Sequence, residues 1–168
     1  MALNLAEIKR HLYPEEVDSY LKLKKTFSKK KFYKENITIF YPGCGTDIIN
    51  PLLFLDVLLD WQRVKSIIFV CVDTNGIAPD FIKAMLDKIV KSEVKLRFLS
   101  EKKATISFRV NNTEATLVYF LGNVLESLPK ILKSGFDIYF ERAFEIFRAN
   151  EQEFIFFVLK HVNKGGLI

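Results

Sequence analysis

Residues 37–47 read ITIFYPGCGTD, an apolar, β-rich run that stops at two glycines and an acidic residue. A second apolar run follows over residues 51–59 and has helical character. A strand, a glycine turn and a helix in this order present backbone N–H groups to a nucleotide-like ligand, because only glycine lets the main chain approach so closely. The sequence therefore predicts a ligand-binding loop over residues 43–47.

Length and composition predict one domain with one well-filled core. The chain has 168 residues, of which 49% are hydrophobic, and sixteen are Phe. We expect residues 1–35 to form an N-terminal helical cap and residues 36–168 to form the core domain. No apolar run reaches the ~20 residues of a membrane span, and the N-terminus lacks a signal-peptide pattern. A soluble cytoplasmic protein that does not bind membranes is the expectation.

The cysteines and histidines indicate neither a disulfide scaffold nor a metal site. Cys44 and Cys71 are the only cysteines, and His11 and His161 lie far from them and from each other in the sequence. Zinc sites need several such ligands at short, regular spacings. We expect no bound metal.

A lysine cluster lies near the N-terminus, with seven lysines within residues 22–34. Such a cluster can attract a phosphate backbone. The simpler interpretation is the solvated face of a helix, since Val17, Tyr20, Leu23 and Phe27 recur every three or four residues and would bury the opposite face. Nucleic-acid binding stays open but is not favoured, because no arginine-rich or aromatic-interleaved pattern accompanies the lysines.

Apolar periodicity predicts alternating helices and strands. Asn111 and Asn112 lie in a predicted turn that makes an antiparallel hairpin, and Met85 falls on the predicted core face of its helix. The predicted helices cover residues 14–31, 51–61, 79–90 and 150–165, and the predicted strands cover residues 37–41, 66–72, 94–99, 105–110, 116–121 and 136–140.

This alternation predicts an α/β fold with a mostly parallel sheet covered on both faces. Ligands of such sheets bind at the carboxyl ends of the strands. Four polar strand ends then share one rim: the loop at residues 43–47, the turns at 73–76 and 122–123, and the pair Glu141 and Arg142. Asp73, at the tip of the strand beside the glycine loop, is placed to accept two ribose hydroxyls; a turn aspartate is the alternative.

At this point the chain resembles the class I S-adenosylmethionine-dependent methyltransferases over residues 37–168. Residues 42–45 (PGCG) resemble the glycine-rich first motif, and Val72 with Asp73 resembles the second. Residues 121–129 resemble the adenine-binding segment, residues 136–140 the fourth strand, and residues 159–168 the last helix, glycine turn and fifth strand.

The resemblance implies a three-layer Rossmann-like fold with an inserted hairpin and S-adenosylmethionine as cofactor. It passes the ribose role to Asp73 and the adenine role to Asn123. The methyl-acceptor substrate and the catalytic residues stay unassigned, with Glu141, Arg142 and Tyr41 as candidates near the rim. The full set of expected cofactor-binding residues is Gly43, Cys44, Gly45, Asp47, Asp73, Asn123 and Glu141.

The chain also departs from the family pattern. Tyr41 stands where an acid is usual, and Asp47 stands where a third glycine is often found. Asp47 at a helix N-terminus would repel a pyrophosphate, which disfavours a nicotinamide dinucleotide, but it can face the ammonium of a methionine moiety. The sequence ends two residues into the expected fifth strand, so the sheet is expected to be incomplete and its open edge to permit self-association.

Two other functions therefore stay open beside a methyltransferase. One is a catalytically silent methyltransferase-like module that binds a partner through its basic helix or its open sheet edge. The other is a different nucleotide-binding enzyme of the doubly wound class.

Overall fold

The structure is a computed structural model that describes residues 3–28, 31–131, 135–142 and 148–168. It is an α/β fold whose seven-stranded mixed sheet is mostly parallel. The described elements are α1 (Leu5–Lys9), α2 (Pro14–Thr26), β1 (Asn36–Pro42), α3 (Ile49–Leu58), a short 3-10 helix (Trp61–Arg63), β2 (Ser66–Asp73), α4 (Ala78–Ile89), β3 (Lys95–Ser100), β4 (Lys103–Val110), β5 (Thr113–Leu121), α5 (Val124–Ile131), β6 (Phe136–Tyr139), α6 (Arg148–His161) and β7 (Val162–Leu167).

The strand order is β3-β4-β5-β2-β1-β6-β7. Five strands run parallel to one another, in the order β5, β2, β1, β6 and β7, while β3 and β4 extend the sheet beyond β5 in antiparallel fashion. The chain leaves β1 toward β2 on one side and returns to β6 on the other. The carboxyl ends of β1 and β6 therefore flank the point where the strand order reverses, which is where open α/β sheets bind ligands.

The predicted hairpin is confirmed. β4 and β5 pair in antiparallel fashion, and Val110 and Thr113 are the pair nearest the turn. Asn111 and Asn112, which connect them, have φ of 51° and 70°. Positive φ at both central residues is the geometry of a type I′ turn, which asparagine tolerates and which matches the twist of paired strands.

Alternation along the central strands divides the apolar interior into two clusters. Ile39 and Tyr41 of β1 pack in the cluster that also holds residues of α1 to α4. Phe40, between them, packs in the other cluster with Val124 of α5 and Phe154 of α6. Successive side chains of a strand point to opposite faces, so the sheet buries both of its faces.

Helix α4 follows its predicted bounds closely, but two of its side chains are less buried than expected. Ile82 and Leu86 are completely buried. Met85 is only half-buried against the core, and Phe81 is 57% exposed. The periodicity predicts a wider apolar face than the sheet covers.

The N-terminal helix prediction is wrong in extent. Two helices are present, and α2 ends at Thr26 instead of continuing to residue 31. Phe27 occupies the C-cap position. Tyr20 is buried as predicted, whereas Leu23 is 45% exposed. The predicted apolar stripe is therefore only partly a core face.

Three lysines of the cluster have partners within the chain. Lys24 donates to Asp56, 2.6 Å from Nζ to Oδ2, and Lys31 donates to the carbonyl oxygen of Val57 at 2.7 Å. Lys34 pairs with the buried carboxylate of Asp137. These three are therefore paired within the chain, although the side chains of Lys24 and Lys34 remain 37% and 42% exposed. Lys22 and Lys25 are exposed, as a solvated face predicts, and residues 29–30 lie outside the described part of the chain.

The C-terminal segment also differs from its prediction. α6 begins at Arg148, so Asn150 is not its N-cap, and it ends at His161 instead of residue 165. β7 follows at once and pairs in parallel with β6. The fifth parallel strand thus spans Val162–Leu167, and the prediction that only its first two residues are present is wrong.

Candidate functional site

The glycine loop follows β1 at the carboxyl edge of the sheet. Gly43 and Gly45 have φ of 60° and 51°, a region that side chains other than glycine rarely adopt. The Gly43 N–H donates to the carbonyl oxygen of Val72 at 2.9 Å, which ties the loop to β2. A Cβ atom added to Gly45 would meet no heavy atom within 4 Å. The loop therefore exposes backbone to open space, as a close backbone approach to a ligand requires.

Asp73, at the end of β2, binds this loop directly. Its Oδ2 accepts the N–H of Gly45 at 2.7 Å, and its Oδ1 accepts the N–H of Asn75 at 2.8 Å. The side chain is half-buried. Each carboxylate oxygen has a second lone pair, so Asp73 can accept further hydrogen bonds while it holds the two loops together.

Asp47 accepts hydrogen bonds from two residues of the chain, whereas the sequence suggests the ammonium of a ligand as its partner. Its Oδ2 accepts the Tyr41 hydroxyl at 2.8 Å, and its Oδ1 accepts the backbone N–H of Asn50 at 3.1 Å, in the first turn of α3. Burial raises the pKa of Tyr41, and the Asp47 carboxylate raises it further. Tyr41 thus stays protonated and serves as a donor, which rules it out as a general base at neutral pH.

Glu141 and Arg142, which follow β6 after Phe140, do not pair with each other. Arg142 donates to Glu16 of α2 and lies 3.9 Å from Oδ2 of Asp47. Glu141 is exposed and accepts the hydroxyl of Tyr139, whose pKa is raised by burial and by this hydrogen bond. Arg142 therefore links α2 to the glycine-loop region, whereas Glu141 lies outside that contact.

Cys44 is part of the loop but its side chain is buried. The residue is 2% exposed, and its thiol donates to the carbonyl oxygen of Gly45 at 3.7 Å. The neighbouring thiol of Cys71 and burial raise the pKa of Cys44, so its thiol stays protonated. Tyr119 of β5, also buried, lies close to both thiols and to Asp73 and donates to the carbonyl oxygen of Asn75 at 2.8 Å.

Asn123 lies on the same rim but caps a helix. Its Oδ1 accepts the N–H of Leu125 at 2.9 Å, in the first turn of α5. The preceding Gly122 donates its N–H to the Asp73 carbonyl at 2.9 Å, which joins the ends of β2 and β5. Asn123 is exposed, and its side-chain nitrogen has no hydrogen-bond partner among the described residues.

The structure therefore brings together five of the seven expected cofactor-binding residues. Four belong to the glycine loop and the fifth is Asp73; Asn123 is attached to this group through Gly122, and Glu141 is not part of it. The residues that hold the group together were missed from the sequence. Tyr119 and Glu16 belong to runs whose local pattern predicts only a strand or a helix, and Asn50 lies between the predicted loop and the predicted helix.

An apolar cleft of about 330 Å³ lies between α2 and α3, beside the end of β6. Asn50 lines it, and the Asn50 side chain donates to Asp47 at 3.2 Å, so the cleft adjoins the glycine loop. Glu15 and Glu16 stand at its polar side. Its other lining residues are Leu12, Ser19, Tyr20, Leu23, Leu53, Phe54, Val57 and Phe140.

No protein-family model matches the chain, and a search of curated proteins finds no significant match. Among the described residues, no helix is both long and apolar enough to cross a membrane.

Proposed function

We propose that the protein binds S-adenosylmethionine at the carboxyl ends of β1, β2, β5 and β6 and transfers its methyl group to an acceptor. The observation that carries the proposal is Gly45, whose missing Cβ leaves open space directly beside the Asp73 carboxylate. The finer form of the fold, a three-layer Rossmann-like domain with an N-terminal helical cap, belongs to the same proposal. Apolar clusters on both faces of the sheet support it.

The residues present fit this cofactor. Asp73 keeps lone pairs that can accept ribose hydroxyls, and the backbone at Gly43 and Gly45 allows close approach. Asn123 is exposed at the adjacent strand end, where its amide can bind an adenine edge. Asp47 places a carboxylate near the β1–β6 crevice, where it can attract the ammonium of a methionine moiety.

The cofactor supplies an electrophilic methyl group on a sulfonium. The protein then has to align an acceptor atom in line with it, so proximity and alignment are its main contribution. The α2–α3 cleft adjoins Asp47 through Asn50 and is the place we assign to the acceptor. A general base is needed only for an acceptor that must lose a proton.

One observation favours a catalytically silent binding module instead. Both oxygens of Asp73 and both oxygens of Asp47 already accept hydrogen bonds from the chain itself. Carboxylates used in this way stabilise loops without any ligand. Measurement of cofactor binding separates the two functions.

The decisive experiment is calorimetric titration of the protein with S-adenosylmethionine, S-adenosylhomocysteine and NAD. We expect both adenosyl compounds to bind and NAD not to bind. At a hundred times its dissociation constant, a ligand adds ~2.7 kcal/mol to the free energy of unfolding, which thermal unfolding can check.

Replacement of Gly45 by Ala tests the site itself. The new Cβ meets no protein atom, so the cost to stability is that of a left-handed φ, roughly 1–2 kcal/mol, whereas the methyl group fills the space assigned to the cofactor. We expect the variant to fold and to lose at least about tenfold in affinity, equivalent to ~1.4 kcal/mol. The larger Gly45→Val should have the same effect with more strain.

Gly165→Ala is the matched control. Gly165 also has a positive φ, 78°, and also has open space at its Cβ position, but it lies in β7, two strands from β1. It should fold with similar strain and bind the cofactor normally. Normal binding by Gly45→Ala would place any cofactor site elsewhere, and no binding by the unaltered protein would support the silent module.

A further inference from the structure

Helix α6 carries apolar side chains on two opposite faces. Phe154 and Val158 are 4% exposed each and pack in the second apolar cluster. Ile155, Phe156 and Leu159 are 49%, 69% and 58% exposed. These three share one side of the helix, since residues spaced by three or four are neighbours on a helix surface. Contiguous exposed apolar side chains are typical of interaction sites, whereas single ones are normal on a protein surface.

Two charged residues flank this exposed stripe. Glu153 precedes Phe156 by three residues, and Lys160 follows it by four, so at about 100° per residue both project from the same flank of α6. Both side chains are exposed. Within the described part of the chain, neither has an ion-pair partner. Along the helix axis, the acidic group precedes the apolar stripe and the basic group follows it, both on the same flank.

This arrangement is complementary to itself. When two copies of a helix pack antiparallel about a two-fold axis, the same flank of each helix meets, and its N-terminal half faces the C-terminal half of the other. With the axis near Phe156, Glu153 of each copy faces Lys160 of the other. The three apolar side chains of each helix then cover those of its partner.

We propose that the exposed face of α6, formed by Glu153, Ile155, Phe156, Leu159 and Lys160, is a two-fold dimer interface between copies of this chain. The contact joins side chains of two helices, and it differs from backbone pairing at the open edge of the sheet. A single helix pair buries less than the ~1,200 Å² of a standard interface, so a weak dimer that dissociates at low protein concentration is expected.

Sedimentation velocity and light scattering from micromolar to several hundred micromolar protein test this interface. The unaltered protein should form dimers at the upper end of this range. Phe156→Glu should remain monomeric, because it places two carboxylates at the centre of the contact. Phe81→Glu is the matched control, since Phe81 is a similarly exposed aromatic residue on α4, and it should dimerise normally.

A charge exchange tests the antiparallel geometry. Lys160→Glu and Glu153→Lys should each weaken self-association by about tenfold or more, because like charges then face each other twice. An equimolar mixture of the two variants should recover association as a heterodimer, and so should the double variant. Circular dichroism and thermal unfolding should show that every variant is folded.

Three results would overturn the proposal. The first is an unaltered protein that stays monomeric throughout, even if this face binds vesicles or another protein. The second is a Phe156→Glu dimer of normal strength, as expected if the contact were the edge of β7. The third is a failure of the mixed single variants to associate, which would exclude the antiparallel arrangement.

Discussion

At the residue scale, Asp73 joins two loops that carry the candidate site. Its carboxylate binds one backbone N–H of the glycine loop and one of the turn after β2, at 2.7 and 2.8 Å. Removal of the Asp73 side chain would leave both of these backbone N–H groups without their acceptor. The sequence suggests that Asp73 serves ligand binding. The structure adds a second role, because Asp73 also holds two loops together.

Asp73→Ala should destabilise the protein before any ligand is added. The substitution leaves two backbone N–H groups without their acceptor, and the half-buried position gives a cost of about 1–3 kcal/mol. Urea unfolding without ligand measures this cost. The variant should also lose binding of S-adenosylmethionine, which calorimetry measures separately.

Asp18→Ala provides the comparison for this variant. Asp18 is exposed on α2 and has no hydrogen-bond or ion-pair partner among the described residues, so its removal should change the free energy of unfolding by no more than about 0.5 kcal/mol. If Asp73→Ala were as stable as Asp18→Ala yet failed to bind the cofactor, the carboxylate would serve the ligand alone.

At the scale of elements, α2 is held on α3 by a buried polar contact. Asp56 of α3 accepts hydrogen bonds at its Oδ2 from Tyr20 and from Lys24, both at 2.6 Å. Trp61 approaches its other oxygen at 3.3 Å. Burial opposes ionisation of Asp56, but the donors outweigh it and the pKa of this carboxyl lies below its usual value. The pKa of Lys24 is correspondingly raised, because burial is outweighed by these partners.

Asp56→Asn should therefore destabilise the protein by about 2–3 kcal/mol at pH 7. Removal of one partner from a fully buried pair costs more, but Lys24 is 37% exposed and partly solvated. Because the folded-state pKa of Asp56 is lowered, its contribution is present above the unfolded pKa of ~3.9 and is lost as the pH falls through the lower folded value. The difference between the two proteins should thus shrink below about pH 4.

Asp87→Asn is the matched variant for this contact. Asp87 pairs with Lys83 at the same 2.6 Å, but this pair lies one turn apart on the surface of α4, with both side chains more than a third exposed. We expect a loss of about 0.5 kcal/mol or less. Urea unfolding at pH 7 and pH 3 compares all three proteins; equal losses in the two variants would show that the α2–α3 contact is no stronger than a surface pair.

At the scale of the whole molecule, the formal charge of +5 is concentrated near the N-terminus. Two of the clustered lysines pair with carboxylates within the chain, and a third donates to a backbone carbonyl oxygen. The basic surface available to a partner is therefore smaller than the sequence suggests. Electrostatic attraction to nucleic acid scales with the number of phosphates contacted.

We expect only weak, nonspecific RNA binding by this cluster. A quadruple change of Lys22, Lys25, Lys29 and Lys30 to Gln should lower that binding equally for all sequences. Each phosphate contact contributes a slope of roughly −0.7 in a plot of log affinity against log salt on single strands, so the slope should flatten in the variant. Fluorescence anisotropy with a labelled RNA at several salt concentrations measures both quantities.

The control changes four lysines outside the cluster, Lys83, Lys88, Lys91 and Lys95, to Gln. It lowers the net charge equally, so a specific role for the N-terminal cluster predicts a smaller loss of RNA binding here. Sub-micromolar, salt-sensitive binding that only the first variant loses would make RNA the leading acceptor for methyl transfer.

Elements whose signal is local could be predicted from the sequence. β1 and β2 are continuous apolar runs, the turn at Asn111 and Asn112 has its own conformational preference, and α4 has a strong periodicity. The boundaries of α2 and α6 could not be predicted, because the lysines after Thr26 and the residues after His161 continue each helical pattern. After α2, Lys31 and Phe32 hydrogen-bond to the end of α3, and after α6 the chain pairs with β6. Neither contact is encoded in the local sequence.

For the candidate site, the sequence by itself determined that glycines and polar side chains follow the ends of parallel strands, and hence that the glycine loop and Asp73 share one rim. Backbone freedom at glycine and the common direction of the strands are sufficient for that conclusion. Only the tertiary structure decided that Asp73 binds the loop, that Tyr41 donates to Asp47, and that α6 exposes an apolar face. Those outcomes depend on distances between residues far apart in the chain, which no local pattern specifies.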